Sequence, residues 1–179
     1  MGHGKVRNSL VVGGVPDVPL LGADLIVALF EMEARMATVF DVAKYILDKL
    51  GPMTTWKLQK LCYYAQAWTL AWDGEPLFEE EFEAWSNGPV CRGLFNEHKG
   101  LFTIGSDELT NGNAAALRQD QKENVDTICC DYGSMDAYWL REQTHGEVPW
   151  KDARGNLPVG APGSNIIAKS AMGEYYGSL

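Results

Sequence analysis

Between Gly51-Pro52 and Asp73-Gly74 the chain carries Leu58, Leu61, Cys62, Ala65, Trp68 and Trp72 at spacings of three and four residues. That interval is the repeat of one face of an α-helix; a strand, whose side chains alternate, does not present it. The spacing predicts a helix from Thr54 or Thr55 to about Trp72, stopped by Asp73-Gly74. A second stripe precedes it: Val39, Val42, Ala43, Ile46, Leu47 and Leu50 share one face. Thr38 is its N-cap, Asp41 stands at the third helical position of a capping box, and Gly51-Pro52 ends it. Each stripe needs a partner for its apolar side. The expectation is therefore a mainly α, compact helical bundle with at most a few short strands.

A chain of 179 residues with 46% hydrophobic content suits one domain with a real core. Residues 1–36 differ in texture, opening with several Gly and Pro before a short apolar stretch, and are read as an N-terminal extension to a domain over 37–179. Two readings of the extension stand: a segment upstream of a natural start at Met32 or Met36, or an ordered arm that packs on the domain or a partner. The chain holds 15 Lys and Arg against 24 Asp and Glu, a net charge of −9. Residues 37–179 keep 12 basic against 20 acidic groups, so the acidity belongs to the domain. Such a balance opposes unaided binding to nucleic acid or an acidic membrane and suits a basic protein partner. Cys62, Cys91, Cys129 and Cys130 show no C-x-x-C pair or metal-ligand spacing; they read as reduced, mostly buried thiols of a cytoplasmic protein. The apolar run Leu25 to Phe30 is too short to span a membrane.

Beyond Gly74 the pattern is less even. Phe78, Phe82 and Trp85 fit helical spacing, while Phe82 to Trp85 also suits a brief extended segment, and both readings stay open. Asn87-Gly88-Pro89 is a turn, with Pro89 expected at the first position of a helix to about Lys99. Residues 101–113 read as a loop with a short strand at Leu101 to Ile104. A long helix is expected from Ala114 to Tyr132, a shorter one capped by Ser134, and a last one capped by Ser164 or Asn165 and ending near Tyr176.

Several separated signatures then occur in order. Met53-Thr54-Thr55-Trp56-Lys57-Leu58-Gln59-Lys60-Leu61-Cys62-Tyr63-Tyr64 leads into Ala65 to Trp68; Pro76-Leu77-Phe78 is followed by Glu83-Ala84-Trp85 and Gly88-Pro89-Val90. Leu140, Thr144-His145, Glu147 and Pro149-Trp150 come next, and Ile166 with Glu174-Tyr175-Tyr176 closes the chain. In this order they resemble the Panacea (SocA-like) domain over about four-fifths of the chain. The resemblance implies a largely helical, non-enzymatic antitoxin of a type II-like, phage-associated pair, which binds a cognate toxin directly. In the similar SocA branch, the bound toxin is delivered to the ClpXP protease. The family's shared residues are expected to serve mainly as scaffold: Leu58, Gln59, Leu61, Tyr63, Trp68, Trp85, Gly88, Pro89, Val90, His145, Pro149, Trp150, Tyr175 and Tyr176.

Candidate partner contacts are Trp56, Lys57, Lys60, Tyr64, Glu79, Glu80 and Glu81. Trp56 stands beside a helix cap, where core and contact roles balance. Lys57 and Lys60 should reach the surface or a polar pocket and form internal ion pairs. Tyr63 and Tyr64 must point in different directions, sending at least one hydroxyl to the edge of the core. The Glu79 to Glu81 run, with Glu83, is a candidate steering surface for a basic toxin. Gly88-Pro89-Val90 fixes a tight turn; its alternative role is to offer free amides to a partner carboxylate. A hydrolase built on Cys91 and His145 is the rival from another class, Cys91 near a helix start where a thiolate gains stability. Its plainer counterpart has His145, Glu147 and Trp150 organising the turn after their helix. No cofactor is expected: Val12-Gly13-Gly14-Val15 lacks the following Lys-Ser or Lys-Thr of a phosphate loop, and His98, His145 and the cysteines lack zinc spacing.

Overall fold

The first apolar stripe forms α1, Val39–Leu50, and its start follows from its capping residues. The Thr38 side chain accepts from the Asp41 amide at 3.3 Å, and the Asp41 carboxylate accepts from the Thr38 amide at 2.9 Å. The computed structural model describes residues 36–179, so the extension expected over 1–36 lies, except for Met36, outside the described residues. Val39, Val42, Ala43, Ile46 and Leu47 are buried, whereas Leu50, expected on the same face, is exposed in the last turn.

The long helix α2, Thr55–Asp73, is capped by Thr54 and closed by Gly74 in the left-handed conformation. Leu58 to Ala67 is buried without a break, so the helix interior is enclosed from nearly every side. Helices α4, Gln119–Tyr132, and α7, Lys169–Gly177, pack against it together with α1. Helices α3, Arg92–His98, α5, Ala137–Gly146, and α6, Val148–Arg154, complete the helical set.

Two small antiparallel sheets flank this core. Strand β1, Met53–Thr54, pairs with β4, Thr103–Ile104, which brings the loop after α3 against the start of α2. Strand β2, Phe82–Trp85, lies between β3, Gly88–Cys91, and β5, Ile166–Ile167. The open reading of Phe82 to Trp85 is thus decided for the extended form: cross-strand pairing buries Phe82 and Ala84, which a helix would separate.

Four expected boundaries are corrected. Pro89 belongs to β3 and α3 begins at Arg92, because Glu83 to Trp85 take Gly88 to Val90 as their pairing partners. The helix expected from Ala114 starts at Gln119; Ala114–Ala116 form a separate 3-10 turn and Leu117 is extended. Asp136, not Ser134, caps α5 by accepting from the Trp139 amide at 2.7 Å. Ser164 and Asn165 cap nothing, since Ile166–Ile167 first pairs with β2 and α7 begins after Ala168. Trp72, expected inward, is 44% exposed and stacks on Trp68 at 5.4 Å between ring centroids.

Candidate interaction face

The signature helix latches the rest of the molecule through its buried polar residues. Gln66 accepts from the Leu77 and Phe78 amides at 2.8 and 3.3 Å and donates to the Phe78 carbonyl at 2.7 Å, pinning the segment that leads into β2. Gln59 does the same for β3: its Oε1 accepts from the Cys91 amide at 2.8 Å, and its amide nitrogen donates to the Cys91 carbonyl at 3.2 Å. That orientation makes Gln59 a donor to His98 Nε2 at 3.0 Å, so His98 accepts there and is neutral. Burial lowers the His98 pKa in the same sense.

Glu147, at the junction of α5 and α6, ties α2 and α7 to them, accepting from Tyr64 of α2 at 3.1 Å and from Tyr176 of α7 at 2.6 Å. Burial raises its pKa, and the two hydroxyl bonds oppose that rise only in part. His145 stacks on Trp150 with centroids 4.0 Å apart, and the Trp150 indole donates to the Trp85 carbonyl at 3.1 Å. Glu147 and Trp150 thus enter this turn by hydrogen bonds, whereas His145 enters it by stacking, its buried Nε2 making no hydrogen bond among the described residues. Both Tyr63 and Tyr64 are wholly buried, and the Tyr63 hydroxyl makes no hydrogen bond of good geometry among the described residues.

The candidate contact residues fall into two groups. Trp56 is 50% exposed and stands at the surface, where the cap of α2 puts it. Tyr64 and Lys60 are buried and do not reach the surface of the chain described here. Lys57 donates to the Gly133 carbonyl at 2.6 Å and Lys60 to the Pro89 carbonyl at 2.9 Å. Among the described residues neither forms the ion pair expected of it; each ammonium is held by a backbone carbonyl instead. Glu79 and Glu81 hold Lys169, and Glu80 accepts from the Val39 amide at the start of α1. These three carboxylates thus have internal partners. Glu83 is buried; burial alone would raise its pKa, but bonds from Arg92 and Trp85 hold it below the usual range.

Gly88 carries a positive φ of +102°, and a Cβ there would stand 2.6 Å from Lys60 Cε. The positive-φ backbone of the turn, without a Cβ, is therefore what lets the Lys60 chain pass beneath it. Pro89 offers no amide, the Cys91 amide is taken by Gln59, and Gly88 and Val90 are paired with Trp85 and Glu83 in the β2–β3 ladder rather than lying at a helix start. Cys91 does stand near a helix start, at the N-cap position of α3 with no side-chain cap bond, yet burial raises its thiol pKa instead of favouring a thiolate. No hydrogen bond joins Cys91 to His145. All four cysteines are free, only Cys130 is exposed, and no cluster of three His, Cys, Asp or Glu suited to a metal occurs among the described residues. No described helix is long and apolar enough to cross a membrane.

Aromatic side chains gather around Trp56. The Thr55 amide donates to the Phe102 carbonyl at 3.0 Å, and the β1–β4 pair sets Phe102 beside Trp56, 79% exposed. Tyr138, in the first turn of α5, is 70% exposed on the same face. With Arg141 they border an apolar groove of about 220 Å³. On its other side Trp56 borders a cavity of about 240 Å³ between α2, the β2–β3 hairpin and α3. Phe102, Tyr138 and Arg141 escape a sequence reading because two lie in or beside loops and periodicity reports only buried faces. Exposed Trp and Tyr beside a half-buried Arg at a groove are the residue types that carry binding energy at protein interfaces.

Fold and face together define a mainly helical domain with an exposed aromatic groove beside its longest helix. Residues 58–151 match the family described as "Antitoxin SocA-like, Panacea domain". The chain belongs to that family. It is also 29% identical over 140 residues to the protein named Antitoxin SocA from Caulobacter vibrioides (strain NA1000 / CB15N), covering 70% of this chain and 72% of that protein. No solved structure matches it.

Proposed function

We propose that the chain is an antitoxin that neutralises a cognate toxin by direct protein–protein binding, without catalysis, through the face formed by Trp56, Phe102, Tyr138 and Arg141. The exposure of these aromatic groups on a rigid, internally latched scaffold carries this reading. A preorganised face loses little ordering entropy when a partner settles on it. Family membership and the likeness to Antitoxin SocA support the role.

The test is co-expression with the protein encoded by the adjacent gene. Relief of growth arrest, together with co-elution of the two chains, is expected, and Trp56→Ala should weaken both while leaving the fold intact. A neighbour that neither arrests growth nor associates would overturn the reading. Toxin lifetime in the presence of the chain separates the two modes of neutralisation: an unchanged half-life marks occlusion, and a shortened one marks delivery to a protease such as ClpXP.

A further inference from the structure

Twelve Lys and Arg stand against twenty acidic groups in residues 37–179, yet the basic groups are unevenly placed. Four cavities adjoin one another through border residues they have in common: Trp56 borders two of them, Ser86 three and Arg141 two. Their linings include Lys60, Arg92, Lys99, Arg141, Lys151 and Arg154, half of those twelve, and no Asp or Glu among the described residues. Arg92 and Arg141 have carboxylates behind them in Glu83 and Glu142. Lys60 has none among the described residues: its ammonium donates to the Pro89 carbonyl, and it is 2% exposed. Burial, and after it the positive charge of Arg141, lower its pKa to about 7.

An ammonium buried without a counter-ion is costly to keep, and its fixed position below Gly88 shows that the fold is shaped around it. The cavity above it is walled by Trp56, Trp85 and Phe95 and carries the Gln59, Ser86 and Asn87 side chains. A carboxylate entering from the aromatic mouth would supply the missing charge, while its adjoining apolar or aromatic group would fill the walls. We propose that this cavity binds a carboxylate carried next to an aromatic or apolar group on the partner protein, an acidic side chain or chain terminus inserted between Trp56 and Trp85 to reach Lys60. The proposal rests on the partner-binding reading only for the source of the carboxylate. Recognition of the carboxylate itself is tested with no toxin present.

The experiment follows the six tryptophan indole resonances and the Lys60 ¹³Cε resonance of the full chain during titration with phenylacetate and, separately, phenylacetamide. The Trp56 and Trp85 signals and Lys60 Cε should move together, with phenylacetate bound at least about ten-fold more tightly than the amide. Lys60→Met, shown to be folded by circular dichroism, should erase that preference; should it fail to fold, the Lys60 shift and the acid–amide ratio on the native chain decide the matter. Equal binding of acid and amide, or shifts confined to other tryptophans, would overturn the proposal. A second arm uses an eight-residue peptide ending in Phe with a free carboxylate, beside its C-terminal amide. Tighter binding of the acidic peptide than of phenylacetate supports a protein source, and phenylacetate binding as tightly as the peptide overturns that assignment. Displacement of either ligand by a short single-stranded oligonucleotide would overturn it as well.

Discussion

Lys60 lies one residue beyond Gln59 within the buried run Leu58 to Ala67 and is 2% exposed, at the floor of the cavity bordered by Trp56 and Trp85. Its folded pKa is depressed to about 7 from an ordinary value of 10.5. Between those values the unfolded chain holds a proton that the native chain has lost, so this group makes stability rise with pH. The penalty is complete below pH 7 and relieved as pH climbs toward 10.5, by up to about 1.4 kcal/mol per pH unit. Chemical denaturation at pH 6.5 and 8.5 should show that rise in the native chain and a flatter response in Lys60→Met. The variant should also be more stable at pH 6.5, by roughly 1 kcal/mol, since a buried charge without a partner is replaced by an apolar chain. Gly88→Ala makes the complementary prediction. A side chain at φ +102° is strained and its Cβ meets the Lys60 chain, so unfolding should show a loss of about 1–3 kcal/mol.

Among the elements, α2 organises its surroundings by hydrogen bonding as much as by packing. Gln66 satisfies two amides and one carbonyl of the Leu77–Phe78 segment from inside the core. Gln66→Leu keeps the volume and strands all three groups, and each buried unsatisfied group costs about 1–3 kcal/mol. The expected outcome is a chain that unfolds at much lower denaturant, with loss of protection at the Leu77 and Phe78 amides in hydrogen exchange. The helices with capping boxes or a helix-length apolar stripe, α1 and α2, are readable from the chain because their signals are local. Strand β3 is not, since Gly88-Pro89-Val90 reads as a helix entrance until Glu83 to Trp85 claim it as a partner. Ile166–Ile167 is hidden for the same reason, its pairing partner lying more than eighty residues earlier.

Across the whole molecule the charge is divided, with an acidic bulk and a cationic, aromatic-lined face around Trp56. Trp56→Ala should weaken toxin binding by about 2 kcal/mol, roughly thirty-fold, measured by calorimetry, with thermal stability unchanged because the ring is half exposed. Glu79, Glu80 and Glu81 hold Lys169 and the start of α1, so reversing their charge would disturb the scaffold along with any steering.

The sequence alone determined the helical class, the caps and limits of α1 and α2, the ordered signatures and the turn built on His145, Glu147 and Trp150. Those features follow from periodicity, capping chemistry and a linear order of motifs, all written within short spans of chain. Tertiary structure decided which polar residues are buried, that Lys60 lies under Gly88 without a carboxylate, and that Trp56, Phe102 and Tyr138 share one face. Burial and charge proximity depend on what other segments bring to a position: Lys60 and Trp56 lie on the same helix, yet β3 covers one while the other stays open beside the β1–β4 pair.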